Sequence, residues 1–423
     1  MQAFEYRNNQ LWCEGLILSD VAQRFGTPLY VYSKQSIVDH CRWIEKAFGS
    51  IDHLSCYAVK ANANAEIVRI IACESLGADV GSKGELQLAL RAGFLPEKIT
   101  FSGVGKRDDE IEFALENNIS AFNVESEQEL HVISHIATRL GKTARILLRV
   151  NFDIPSKTHP YITTGQKHNK FGVECSQAKR ILLQATTCSG IEVHGIHSHL
   201  GSQITDRETF VRAAHAVVNF VNELRSERDN IPIREINFGG GYGVQYHDYI
   251  THPLLPQDDH HGETGLTTVS LLEAVLPILS HLKCKIVIQP GRSVVAHAGV
   301  LLTKVLYKKR TTEKTFVIVD AGMNDLIRPS LYLSYHQIVP LHVSNRQHEV
   351  VDVVGPLCES SDFFALDRMM PVVERGEHLA VMCTGAYGYV LSSNYNGRPR
   401  PTEVLVDGNH YEVITERESI HHV

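Results

Sequence analysis

Lys60 closes the apolar run Cys56-Tyr57-Ala58-Val59. Inside a folded core an ammonium is costly unless it is paired or neutralised, and a lysine so placed suits Schiff-base chemistry with a carbonyl group. A lysine that snorkels from a strand end into solvent fits the same residues. In His194-Gly195-Ile196-His197-Ser198-His199 the strand period puts His197 and His199 on one face, where they could bind a metal or lie against a flat cofactor ring. The hexapeptide holds no Asp or Glu to complete a metal set, so a cofactor or structural role is preferred and no metal is expected, there or at the pair His260-His261. Two glycine turns follow apolar runs. In Phe238-Gly239-Gly240-Gly241-Tyr242-Gly243, the glycines would let backbone N–H groups approach a phosphate. Gln289-Pro290-Gly291-Arg292 adds a guanidinium suited to a carboxylate or phosphate. Taken singly, each also fits an ordinary tight turn.

The elements that must position these residues follow from periodicity. Eight short apolar runs, 54–60, 78–82, 99–103, 121–125, 144–151, 195–202, 236–241 and 285–292, alternate with amphipathic stretches such as 83–92, 127–140 and 209–227. Repeated β-α units of that number predict a closed eight-stranded barrel of the TIM type, an α/β fold. The residues with chemistry fall at the C-terminal ends of the runs, where such a barrel carries its active site: Lys60 on the first, His199 and Ser202 on the sixth, Gly239, Gly240 and Gly241 on the seventh, Arg292 on the eighth. Beyond residue 297 the period changes to two, in 315–320, 348–354, 378–383 and 403–406, which predicts an antiparallel β domain. The strand-like opening through Thr27-Pro28-Leu29-Tyr30-Val31-Tyr32 is expected to pair with that domain, ahead of a helix starting at Ser33. The expected division is therefore 1–33 and 298–423 in the β domain and 34–297 in the barrel. The aperiodic stretch 247–265, with Pro253 and Pro256, is expected to be a surface loop.

Composition excludes several classes of function. The 423 residues suit two domains; 43% are hydrophobic and 21% charged, as in a soluble globular protein. A net charge of −7 leaves no basic surplus for nucleic acid or an anionic membrane. Nine scattered cysteines without a C-x-x-C pair predict reduced thiols and a cytoplasmic setting. Without an apolar run of about 18 residues, neither a signal peptide nor a membrane helix is expected.

Taken in order, six markers resemble the fold-type-III pyridoxal-phosphate decarboxylases, and among them the diaminopimelate decarboxylases, over nearly the whole chain. They are Tyr57-Ala58-Val59-Lys60-Ala61-Asn62, His199-Leu200-Gly201-Ser202-Gln203-Ile204, Gly239-Gly240-Gly241, Gln289-Pro290-Gly291-Arg292, Gly355-Pro356-Leu357-Cys358-Glu359 and Gly385-Ala386-Tyr387-Gly388. The resemblance implies pyridoxal 5'-phosphate as cofactor, carried on Lys60, with His199 stacked on the pyridine face. It places the phosphate among Ser202, the Gly239 to Gly241 turn, Gly291, Arg292 and Tyr387. It also implies an amino-acid substrate and decarboxylation of meso-2,6-diaminopimelate to L-lysine. Arg328 and Tyr332, in Asp325-Leu326-Ile327-Arg328-Pro329-Ser330-Leu331-Tyr332, would hold the retained carboxylate together with Arg292 and Tyr387. Cys358 would be the proton donor and Glu359 the partner of the distal ammonium, both supplied by the partner subunit of a homodimer. Lys170 and Phe171 match a further motif whose role the residues do not reveal. At position 289 the family usually has a glutamate facing the pyridine nitrogen, and this chain has glutamine. That departure motivates one rival expectation, a related decarboxylase or racemase for another amino acid; a second rival, of a different class, is a protein that only binds the cofactor, as small single-barrel relatives are thought to do.

Overall fold

The computed structural model describes residues 3–155, 169–225, 231–256 and 267–419. They form two compact units, one of Cys41–Val244 with Gly265–Ser293, the other of Met1–His40 with Gln245–Thr264 and Val294–Val423.

In the first unit the eight apolar runs become eight parallel strands: β1 (His53–Ala58), β2 (Gly77–Val80), β3 (Ile99–Phe101), β4 (Ala121–Val124), β5 (Ala144–Asn151), β6 (Ile191–His197), β7 (Glu235–Asn237) and β8 (Lys285–Ile288). Each pairs with the next, and β8 pairs with β1, so the barrel closes and leaves no edge. The differences from expectation lie at the strand ends. β6 starts at Ile191 and stops at His197, and β7 and β8 stop at Asn237 and Ile288. Gly201, Gly239 and Gly241, at φ +154°, +71° and +94°, take the chain out of the ladder, so the residues with chemistry stand on loops just past the strands.

The outer helices start where side chains can cap them. Ser82 accepts from the Glu85 N–H at the head of Lys83–Ala92, and Ser126 accepts from the Glu129 N–H at the head of Glu127–Arg139. Such a cap contributes about 1 kcal/mol. Arg207–Leu224 turns Phe210, Ala213, Ala214, Val217, Val221 and Leu224 inward at the three- and four-residue spacing read from sequence. Each large side chain in that stripe contributes roughly 1.5 to 3 kcal/mol by burial. No described helix is long and apolar enough to cross a membrane.

The second unit holds a sheet in the order Phe363–Pro371, His348–Val354, Thr315–Val319, Gly299–Arg310, Leu29–Ser33, Thr402–Asp407, His410–Thr415. The opening strand does join it, with all five residues buried. Six of its eight pairings are antiparallel, as expected, and two are parallel. Leu29–Ser33 runs antiparallel to Gly299–Arg310 but parallel to Thr402–Asp407, and Thr315–Val319 runs parallel to His348–Val354. Parallel neighbours need long crossovers, and the one between Thr315–Val319 and His348–Val354 carries the helix Arg328–Tyr332. The aperiodic stretch after Val244 is also more than a surface loop. Tyr246, Ile250 and Leu255 are buried, and Gln337 bonds both the N–H and the carbonyl of Ile250, at 2.8 and 2.7 Å. The His247 ring stacks on Tyr335 at 3.6 Å. Isolated anchors of this kind leave no period to read. Residues 257–266, with His260 and His261, lie outside the described residues.

Asp325 is buried in this unit, accepting the Gly322 N–H at 2.9 Å and the Asn324 amide at 3.1 Å. Burial pushes its carboxyl up to about 7, against the pull of the Gly322 N–H and of Arg398 and Arg417. The folded chain thus favours the neutral acid. Its stabilising contribution is full below the unfolded value near 3.8 and is lost as pH rises through about 7. Asp325→Asn keeps an acceptor oxygen and removes the titration. Thermal melts should therefore show the parent losing Tm between pH ~4 and ~7 and the variant losing much less. Equal slopes would assign the loss to other groups.

Candidate active site

At the C-terminal end of the barrel, β1 stops at Ala58 and Lys60 stands on the single 3-10 turn Val59–Ala61. The strand is buried but Lys60 itself is exposed, which corrects the expectation of an ammonium enclosed by the barrel. The 3-10 turn lifts the side chain off the ladder. Its charge still reaches the interior: burial raises the carboxyls of Asp79 and Glu85 and Lys60 opposes that rise, while at His197 and His199 it adds to the effect of burial in disfavouring protonation.

The two imidazoles lie with centroids 6.4 Å apart and tilted by 43°, His197 on the last residue of β6 and His199 in the loop beyond. Burial first, then the Arg149 guanidinium, holds both well below the ordinary histidine range. The Gly240 N–H donates to His199 Nδ1 at 3.0 Å, so in the neutral ring the proton sits on Nε2.

The glycine turn after β7 works differently from the expectation that its N–H groups face a phosphate. Gly240 N–H is engaged by His199 and Gly239 N–H by Asn237 Oδ1 at 2.9 Å. Its glycines answer a close approach instead. A Cβ on Gly239, Gly240 or Gly241 would overlap the carbonyl oxygens of Ser198, Gln289 or Gly201. The loop after β6 is laced to this turn through Ile204 N–H to Gly241 O, 2.9 Å, and Gly243 N–H to Ile204 O, 3.0 Å. That lacing brings Ser202 to Arg292, whose Nη2 donates to Ser202 Oγ at 3.0 Å. A Cβ on Gly291 would come within 3.0 Å of the Cβ atoms of Ala58 and Ala61, so a glycine there lets the Arg292 turn lie against the Lys60 turn. A buried guanidinium with a hydroxyl beside a glycine cradle, a neutral imidazole and a lysine at one barrel end fit pyridoxal phosphate, with its anionic arm, flat ring and aldehyde.

Around Gln289 the interior of the barrel holds a buried polar network that sequence reasoning missed. Gln289 Nε2 donates to Asp79 Oδ1 at 2.7 Å and to Ser102 Oγ at 3.2 Å. Thr100 and Ser102 hydroxyls also donate to Asp79, and Asn123 Nδ2 donates to Ser102 at 2.9 Å. Arg149 pairs with Glu125 at 2.7 Å, and its guanidinium lies 4.7 Å from the Phe171 ring centroid, while the Gly172 N–H donates to Glu125 at 2.8 Å. Phe171 therefore has a visible part in holding this ion pair, and the Lys170 ammonium lies 5.4 Å from the same ring centroid. A signal was present: a polar residue interrupts each of several apolar strands, as Asp79, Thr100, Asn123, Arg149, His197 and Asn237 do.

The remaining expected residues lie in the other unit. Tyr387 is half-buried in a turn at φ +56°. Arg328 is buried, its Nη1 donating to His336 Nε2 at 2.8 Å and its guanidinium 4.9 Å from the Tyr246 ring centroid, so it is no surface turn residue. His336 Nδ1 donates to the Met382 carbonyl at 2.7 Å, which leaves the Nε2 lone pair for Arg328. Tyr332 ends the helix Arg328–Tyr332. Cys358 and Glu359 are exposed; Cys358 is not the small buried hydrophobe that a free cysteine usually is.

Residues 34–296 match the family model described as pyridoxal-dependent decarboxylase, pyridoxal binding domain. The diaminopimelate decarboxylase of Aquifex aeolicus is 45% identical over 99% of this chain and 96% of its own length. Diaminopimelate decarboxylase from Helicobacter pylori, solved as a complex with L-lysine, superposes at TM-score 0.88 with 40% identity, covering 96% of this chain and 98% of that one. The enzyme from M. jannaschii, in co-complex with L-lysine, gives 0.90 and 38%, covering 99% and 96%.

Proposed function

The chain belongs to the pyridoxal-dependent decarboxylase family, and from that premise we propose that it decarboxylates meso-2,6-diaminopimelate to L-lysine and CO2 with pyridoxal 5'-phosphate as cofactor. The observation that carries this reading is the convergence of Lys60, neutral His199 and the buried Arg292–Ser202 pair at one end of a closed barrel.

In this reading Lys60 is the nucleophile that would hold the cofactor, and its exposure at the end of the barrel leaves it open to both cofactor and substrate. Arg292 and Ser202 bind the phosphate. His199 presents an uncharged ring, which can lie on the cofactor without opposing a positive pyridine. The bound cofactor supplies an electron sink for the pair released when the Cα–carboxylate bond breaks. Tyr387 completes the phosphate site, and Arg328 with Tyr332 holds the carboxylate that is kept. Cys358 Sγ–H returns a proton to Cα and Glu359 meets the distal ammonium, both from the second subunit of a homodimer. The nine cysteines are free thiols, in keeping with a cytoplasmic enzyme.

Purified protein with pyridoxal phosphate and meso-diaminopimelate should yield lysine and CO2 in equal amounts. Ornithine, arginine and lysine should be poor substrates, because they lack the carboxylate that Arg328 requires. Epimerised substrate without CO2, or preference for a diamine precursor, would replace this reading with one of its rivals.

Arg328→Lys keeps a cation beneath Tyr246 and loses the planar fork. It should lower kcat/KM for diaminopimelate about ten- to hundredfold and leave cofactor affinity near that of the parent. Equal losses in both would mean that Arg328 serves the fold and not the substrate.

A further inference from the structure

The resemblance stated above implies that position 289 faces the ring nitrogen of a bound pyridoxal phosphate, where a carboxylate would be its negative partner, and the surrounding bonds fix what the Gln289 amide can offer. The amide nitrogen is engaged, donating to Asp79 Oδ1 at 2.7 Å and to Ser102 Oγ at 3.2 Å. Only Oε1 remains, and its two lone pairs leave one over even where His197 hydrogen-bonds the same side chain. The neighbouring bonds run one way. Asn237 Nδ2 reaches Asn123 Oδ1 at 3.5 Å, Asn123 donates to Ser102, and Ser102 and Thr100 donate to Asp79. A group that collects three donors on one oxygen and gives none is acting as a carboxylate. Lys60, the two hydroxyls and Arg149 all favour that ionised form, against burial, which is the largest single influence and raises its pKa. Asp79 and Gln289 are buried, at 4% and 6% exposure, so water does not compete for these bonds.

We propose that Asp79 is a positioning residue acting through Gln289: it locks the amide with Oε1 as sole acceptor toward the cofactor's ring nitrogen, and places behind it the negative charge that glutamine lacks. The inference rests on the pyridoxal-phosphate reading above. It also bears on the simple repair of position 289. Gln289→Glu alone would set a second carboxylate against Asp79, and two acids at that distance share a proton instead of both ionising. The charge moves to the ring only if Asp79 is made neutral at the same time.

The test compares binding of apoprotein to pyridoxal phosphate and to its analogue with carbon in place of the ring nitrogen. The ratio of the two affinities reads the contact with that nitrogen, whereas damage to the fold weakens both ligands alike. The parent should prefer pyridoxal phosphate, and Gln289→Ala should abolish the preference. Asp79→Asn should reduce it about tenfold, and the Asp79→Asn/Gln289→Glu double variant should restore it. A preference unchanged in Asp79→Asn but lost in Gln289→Ala would overturn the role of Asp79. If Gln289→Ala also kept the preference, neither residue would be reading the nitrogen. Parent apoprotein that takes up neither ligand would overturn the functional reading itself, a result distinct from both.

Discussion

Lys60→Ala should abolish both turnover and the visible absorbance of bound cofactor, and should leave the fold intact. Lys60 is exposed on a 3-10 turn, so its truncation creates no cavity, and the expected stability change is within about 0.5 kcal/mol. No substitute is at hand in Lys106. That ammonium is buried and held by the Gly103 and Asn123 carbonyls at 2.9 and 2.8 Å and by Glu129 at 2.6 Å. Freeing it would leave the Glu129 carboxylate buried without its cation, at a cost of several kcal/mol. The loss in Lys60→Ala should therefore be complete, not partial. Absorbance spectra and single-turnover CO2 release check it together. A variant that keeps the band and the chemistry would place the nucleophile elsewhere.

The barrel was legible because its strands are buried on both faces and read as continuous apolar runs, and because capped amphipathic helices alternate with them. What sequence could not supply was the point at which each strand lets go. Lys60, His199 and Arg292 all act from backbone that has left the ladder, and that departure depends on Gly239, Gly241 and the room that Gly291 leaves beside Ala58 and Ala61. The glycines suggested N–H groups aimed at a phosphate. Composition cannot show that His199 and Asn237 already accept two of them. The Asp79 network was missed for a related reason. A lone aspartate between Ala78 and Val80 looks like a strand irregularity until Gln289, some 210 positions away in the chain, closes on it. The mixed sheet of the second unit follows the same logic, since strand direction is set by crossover connections and not by the period of two.

Mixing two inactive variants should reveal how many chains make one site. Cys358 and Glu359 are exposed, yet their loop is firmly braced. Asp362 accepts the Leu357 N–H at 2.7 Å and the Met323 N–H at 2.6 Å, and Asn396 accepts the Cys358 N–H at 3.1 Å. A thiol held outward on a fixed backbone is arranged to be presented to something outside its own fold, and a second copy of the chain is the occupant proposed here. In a symmetric dimer each site would then combine Lys60 of one subunit with Cys358 of the other. Lys60→Ala removes the nucleophile, and Cys358→Ala removes the proton donor, which should lower the rate about 10²- to 10⁴-fold. When the two variants are mixed in equal amounts and exchange subunits, about half the dimers are hybrids, and each hybrid has one site with both residues intact. The mixture should regain about one quarter of the parent activity, from components that are each nearly inactive. Exchange verified with differently tagged subunits, followed by no recovery, would show that each site takes its lysine and its proton donor from the same chain.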